Sequence, residues 1–186
     1  VQSSLNILGS YAVAAFTAGS KIESIFTQAF VAIGTAMSTY NAQNIGARKL
    51  DRVRKGFRSA DVIGCTYGVL VGFILFFVGK YFAYLFISDN AEVVIPMVET
   101  YLQCVGMFMI PLYVVNSYRN GFQGMGYGLL PMLSGVAELV GRGIMAIVAS
   151  NKKSYTMACM ASPFAWIVAT VLLIGLYFYV MKDMKK

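Results

Sequence analysis

The chain has 186 residues, 58% of them hydrophobic and 12% charged, with a mean hydropathy of +0.67 and a formal net charge of +7. Soluble domains carry about 25% charged residues, and disorder needs few apolar residues and many charges, so both classes are excluded. Nucleic-acid binding is excluded by how the charge is placed: Arg48, Lys49, Arg52, Arg54, Lys55 and Arg58 cluster within eleven positions, while long uncharged runs fill most of the chain.

Those runs set the predicted elements. A spanning helix needs about 20 mostly apolar residues at about 1.5 Å each, and the chain offers five, at 12–44, 60–87, 95–118, 129–150 and 156–181. The expected fold class is therefore an all-α polytopic membrane bundle. Residues 1–9 are too short to cross and read as the end of a preceding transmembrane helix, so the chain is expected to be a piece of a longer protein. Cys65, Cys104 and Cys159 fall within apolar runs without metal-ligand spacing and read as small core residues.

The 12–44 helix is the most informative. At heptad spacing it carries Thr17, Lys21, Ser24, Gln28, Val31, Thr35, Ser38 and Ala42 on one face, opposite Ile22, Phe26, Ala29, Ile33, Met37 and Tyr40. A polar stripe of this kind avoids hydrocarbon. It either hydrogen-bonds to neighbouring helices or lines a solvent-filled pathway. Loop 45–59 then holds the basic cluster.

In the 60–87 helix, Gly64, Gly68 and Gly72 form a small-residue face for close helix packing, and Tyr81, Phe82, Tyr84 and Phe86 form an interfacial aromatic belt. In the third helix, Pro96 opens the first turn and Pro111 introduces a mid-helix kink, which serves either bending or static packing. The fourth helix places Glu138 and Arg142 one turn apart on one face, a clamp by default and a functional acid as the sharper alternative. The loop GFQGMGYG at 121–128 follows no strand and lacks the Lys and Ser/Thr of a phosphate loop. The last helix ends in a second aromatic cluster, Tyr177, Phe178 and Tyr179.

Ten Lys or Arg fall on the side of loop 45–59, loop 119–128 and the C-terminal tail, against Lys152 and Lys153 opposite. Basic short loops stay in the cytoplasm, so the basic loop and the C-terminus are expected there. The chain has no histidine. That removes His-based catalysis and most metal sites, and no catalytic residue, metal ligand or cofactor is expected.

Read together, these pieces resemble the multidrug and toxic compound extrusion (MATE) transporters. The resemblance rests on Ala14 and Ala15, KIE at 21–23, AQNIGA at 42–47 and RVRK at 52–55. Further along it continues with ISDNAEV at 87–93, Tyr101 and Leu102, GMG at 124–126 with Pro131, then Glu138 and Arg142, and finally PFAW at 163–166. It implies the C-terminal lobe of a two-lobe, twelve-helix secondary antiporter in the cytoplasmic membrane. Its partners would be the N-terminal lobe of the same protein, the lipid bilayer and an organic, cationic substrate exported as Na⁺ or H⁺ enters, with no nucleic acid. The 95–118 helix departs from the family by having no deep carboxylate, only Glu99, Gln103 and Asn116. Lys21, Glu23, Gln28 and Asn44 are the transport-pathway candidates, with Glu138 and Arg142 assigned a structural role. A lipid-linked precursor flippase of the same superfamily is the alternative, although it would need more cations than Lys21 and Arg142. A membrane enzyme or a passive scaffold fits the pattern less well.

Overall fold

The structure is a computed structural model that describes residues 5, 6, 8–87 and 90–184. The described residues form helices and turns and no strand. The helices are α1 (Ser10–Gly46), α2 (Leu50–Phe77), α3 (Gly79–Ala83), α4 (Ala91–Gly106), α5 (Met109–Gly124), α6 (Leu129–Lys152), α7 (Tyr155–Cys159) and α8 (Ala161–Asp183). Of the 1–9 segment, Leu5, Asn6 and Leu8 are helical, and Leu5 packs with Ala12, Ala149 and Ala158. Ser88, Asp89, Lys185 and Lys186, part of the expected loop and tail, lie outside the described residues.

Among the described residues three stretches are long and apolar enough to cross a membrane: Leu50–Phe77, Leu129–Lys152 and Tyr155–Asp183. The bent pair α4 and α5 makes a fourth if taken as one span. Helix α1, at 37 residues, is long enough as well, but its polar stripe dilutes its hydropathy.

Several boundaries differ from the sequence expectation for physical reasons. The basic loop 45–59 shrinks to a turn at 47–49, where Arg48 takes a left-handed φ of 56° and the Lys49 N–H donates to Asn44 O. Lys and Arg are good helix formers, so Arg52, Arg54, Lys55 and Arg58 lie on α2, with Asp51 in its first turn. The span expected at 60–87 stops at Phe77. The third helix starts at Ala91, which puts Pro96 in its second turn rather than its first.

The kink predicted at Pro111 is present as a 54° bend between α4 and α5. Proline has no N–H to offer the carbonyl four residues back, and its ring crowds that carbonyl; here the carbonyl belongs to Met107, at the break. The same rule acts at Pro163, which stands four residues after Cys159, where α7 ends.

The glycine face of α2 packs against this break. A Cβ on Gly64 would lie 1.9 Å from the Tyr113 ring, one on Gly68 would touch Ile110, and one on Gly72 would come within 2.6 Å of Gly106 O. Helix α1 lies along α4, α5 and α2, and α6 packs chiefly on α8. The aromatic clusters divide: Tyr81, Tyr84, Phe86, Phe178 and Tyr179 are exposed, whereas Phe82 packs edge-on to Phe26, and Tyr177 turns into the bundle against Phe57 and Tyr118.

Candidate functional site

The two faces of α1 are sharply divided. Ala12, Ala15, Gly19, Ile22, Phe30, Gly34, Met37, Asn41 and Asn44 are buried and run along one seam at three- and four-residue steps. Small residues there allow close approach: a Cβ on Gly34 would fall 2.9 Å from Asn116 O. Offset by two positions, about 200° around the helix, runs the polar stripe, where Thr17, Lys21, Ser24, Gln28, Val31, Thr35 and Ala42 are exposed and Ser38 half-buried.

Three of the stripe's four hydroxyls bond within their own helix. Thr17 donates to Val13 O at 2.8 Å, Ser24 to Lys21 O at 2.7 Å and Thr35 to Val31 O at 3.0 Å. A hydroxyl satisfied by the preceding turn has no need of a neighbouring helix. Of the two readings of the stripe, interhelical hydrogen bonding therefore finds no support within the described bundle, and the face stays open.

The four pathway candidates fall in different places. Lys21 and Gln28 are exposed on the stripe, and Lys21 lines an open groove with Ala14, Thr17, Ala18, Phe86, Ile87 and Val94. Asn44 is 8% exposed and donates to Tyr40 O, one turn back on its own helix, at 2.7 Å, so it lies in the buried seam and off the stripe. Glu23 stands at the border between stripe and seam. Its carboxylate accepts a short hydrogen bond from the Tyr101 hydroxyl of α4, and Arg142 of α6 lies within electrostatic reach. The Tyr101 ring sits where a Cβ on Gly19 would be, 2.4 Å away, and meets Phe16 edge-on at 4.8 Å. Gly19 thus clears the space that lets the phenol reach an acid one turn further along α1.

Glu138 holds a wider network than the expected pair. Its carboxylate lies 3.3 Å from Arg119 Nη2 and 3.9 Å from Arg142 Nη2. Arg119, expected to open a loop, lies inside α5, and its Nε donates to Ser134 Oγ at 2.9 Å. The closer ion pair therefore bridges α5 to α6, while Arg142, 45% exposed, is held more loosely by Glu138.

Sequence reasoning missed a further set of residues. Asp61 on α2 accepts hydrogen bonds from Tyr113 at 3.1 Å and Tyr118 at 2.9 Å, both on α5. Asn41, fully buried, donates to Gly121 O at 3.1 Å and ties α1 to α5. The available signal was Asp61 itself, a carboxylate at the head of the apolar run of α2, one turn past Arg58. Among the described residues no cluster of metal-ligating side chains occurs.

Residues 1–148 match the MatE family. A stretch of 133 residues is 29% identical to the probable multidrug resistance protein YpnP of Bacillus subtilis (strain 168), covering 72% of this chain. The chain spans 29% of that relative's length.

Proposed function

The chain belongs to the MATE family, whose proteins are transporters and not enzymes, and on that premise we propose that it forms one lobe of a secondary multidrug antiporter. In this reading an organic, cationic compound leaves the cell as Na⁺ or H⁺ enters. A second lobe of the same protein faces the stripe of α1, and the solvated space between the lobes is the pathway. The basic turn and the start of α2 lie in the cytoplasm, as the distribution of Lys and Arg favours, and the membrane is the plasma membrane.

One observation carries the reading: α1 keeps an exposed polar face along an apolar bundle, with the Tyr101-bound Glu23 at its edge. Ionisable groups at membrane depth are costly and mark ion or substrate routes. Glu23 borders the open face, whereas Glu138 is pinned between two arginines. Glu23 therefore acts as the coupling acid, Lys21 and Gln28 line the pathway, and Glu138 and Arg119 hold α6 in place. Alternating access follows from rocking of paired lobes.

The test is dye efflux from cells expressing the full-length protein, with Na⁺ and pH gradients imposed separately. Efflux driven by one gradient names the coupling ion. Glu23→Gln is expected to lower that efflux at least tenfold with membrane abundance unchanged. Efflux equal to the parent's would return Glu23 to a structural role. Absence of efflux under either gradient would move the assignment to lipid-linked precursor flipping.

A further inference from the structure

The proposed exchange leaves one tyrosine-bound acid unused. Asp61 stands one turn past Arg58, where the charged first turns of α2 give way to its apolar run. Its two carboxylate oxygens face separate phenols, Oδ1 the Tyr113 hydroxyl and Oδ2 the Tyr118 hydroxyl. Tyr113 is fully buried and Tyr118 is 8% exposed. Behind Tyr113, fully buried Ser117 places its Oγ 3.2 Å from the same phenol oxygen.

Tyr177 from α8 and Cys65 on α2 lie within electrostatic reach of Asp61, Arg54 lies within reach of Tyr177, and Arg58 stands exposed one turn before Asp61 on α2. Among the described residues none forms an ion pair with it, and the Arg54 guanidinium is engaged at 2.6 Å by Met181 O. Phenols donate hydrogen bonds but supply no positive charge. The half-buried carboxylate is thus held by neutral hydrogen-bond donors, with no ion pair among the described residues.

The pocket also fits the neutral acid without stranding a donor or acceptor. With Asp61 ionised, Tyr113 donates to Oδ1. With Asp61 protonated, the carboxyl O–H donates to the Tyr113 oxygen and the Tyr113 proton turns to Ser117 Oγ. Tyr118 donates to the other oxygen in both states. Buried polar groups seldom go unpaired, and hydroxyls rotate to suit either direction. Three groups in line, acid, phenol and serine, can therefore reverse together.

We propose that Asp61 is a second proton-binding site, separate from Glu23, in which proton uptake reverses the Asp61–Tyr113–Ser117 hydrogen-bond chain. The step is a single protonation, carboxylate to carboxylic acid, with one O–H bond formed and nothing else exchanged. Its placement gives it consequence: Tyr113 and Tyr118 are on α5 and Tyr101 is on α4, so the two acids hold opposite sides of the break at Pro111. The site stands whether or not the antiport reading does, because protonation is read directly.

The experiment is pH-difference infrared spectroscopy of the full-length protein in liposomes. A carboxyl C=O band that titrates is expected, with one component lost in Asp61→Asn and kept in Glu23→Gln. Tyr113→Phe preserves the ring in its seat over Gly64 and deletes the relay oxygen, so it should shift the frequency of that component and leave the Glu23 component in place. If Asp61→Asn fails to fold, the Tyr113→Phe shift carries the test. A titrating spectrum identical in Asp61→Asn and parent, or an Asp61 component indifferent to Tyr113→Phe, would overturn the proposal.

Discussion

Glu23 and Asp61 are both carboxylates set into long helices, and each is met by tyrosine from one half of the broken α4–α5 span. Each also depends on a glycine of its own helix, Gly19 or Gly64, that clears room for the tyrosine ring. Their surroundings then diverge. Glu23 has one phenol, the Arg142 charge across the helix interface, and the open polar face of α1 beside it. Asp61 has two phenols and a serine, no ion pair among the described residues, and a wall formed by Phe57, Phe122 and Tyr177 around Tyr118. The difference separates two tasks. A charge beside an open face, with an arginine in reach, can exchange its partner for an incoming ion, whereas Asp61, half-buried and met by neutral donors alone, chiefly reports, and alters, how one helix half is held.

The comparison breaks most readily at its glycines. A Cβ at Gly64 would fall 1.9 Å from a fully buried ring, and one at Gly19 would fall 2.4 Å from a ring 3% exposed. Overpacking of this kind costs about 1–3 kcal/mol. Gly64→Ala is expected at the upper end and Gly19→Ala at the lower, read as the loss of apparent Tm of the full-length protein in detergent. The opposite order would mean that Tyr113 moves aside freely, and the fixed seat assigned to its phenol beside Asp61 would fail.

Smaller effects should sort the phenols. A hydrogen bond to a charged group contributes about 1.5–3 kcal/mol. Tyr101→Phe removes the phenol that meets Glu23, whereas Tyr118→Phe leaves Asp61 with Tyr113. Tyr101→Phe should therefore lower the apparent Tm more than Tyr118→Phe does. Equal losses would show that the two phenols on Asp61 do not substitute for one another.

Much of this architecture was legible in composition and period. Uncharged runs located the apolar helices, the heptad spacing of Thr17, Lys21, Ser24 and Gln28 predicted a polar face, and Pro111 marked the bend. The spacing of Gly64, Gly68 and Gly72 announced close packing without saying against what. Pairing across helices was harder to read. Tyr101 and Glu23 are 78 positions apart and Tyr118 and Asp61 are 57, and no local pattern encodes which acid a distant phenol will meet. Arg119 reads as the start of a loop and Asp61 attracts no notice because each stands at the end of an uncharged run, where a charge reads as a boundary, while the helix continues through it. The burial of Asn44 is hard to read for a related reason: one position separates the buried seam from the stripe's flank, and only packing decides between them.

The smallest stability change is expected at Pro111, and it bears on what holds the bend. Pro111→Ala restores an N–H that can reach Met107 O, which favours straightening. Against this stand the close seat of Gly106 on Gly72, the Thr170 hydroxyl donating to Pro111 O at 3.1 Å, and the docked tyrosines on either side. These opposing terms should leave stability within about 1 kcal/mol of the parent, the ordinary range for a tolerated substitution. Geometry is the better readout. Spin labels at exposed Val93 and Gln123, near the far ends of α4 and α5, should move apart in Pro111→Ala as the 54° angle opens. An unchanged distance would place control of the bend with Tyr101 on Glu23 and Tyr113 on Asp61. In that case Tyr101→Phe and Tyr113→Phe, combined with Pro111→Ala, should release it, and the two acids would act as clamps on one hinge.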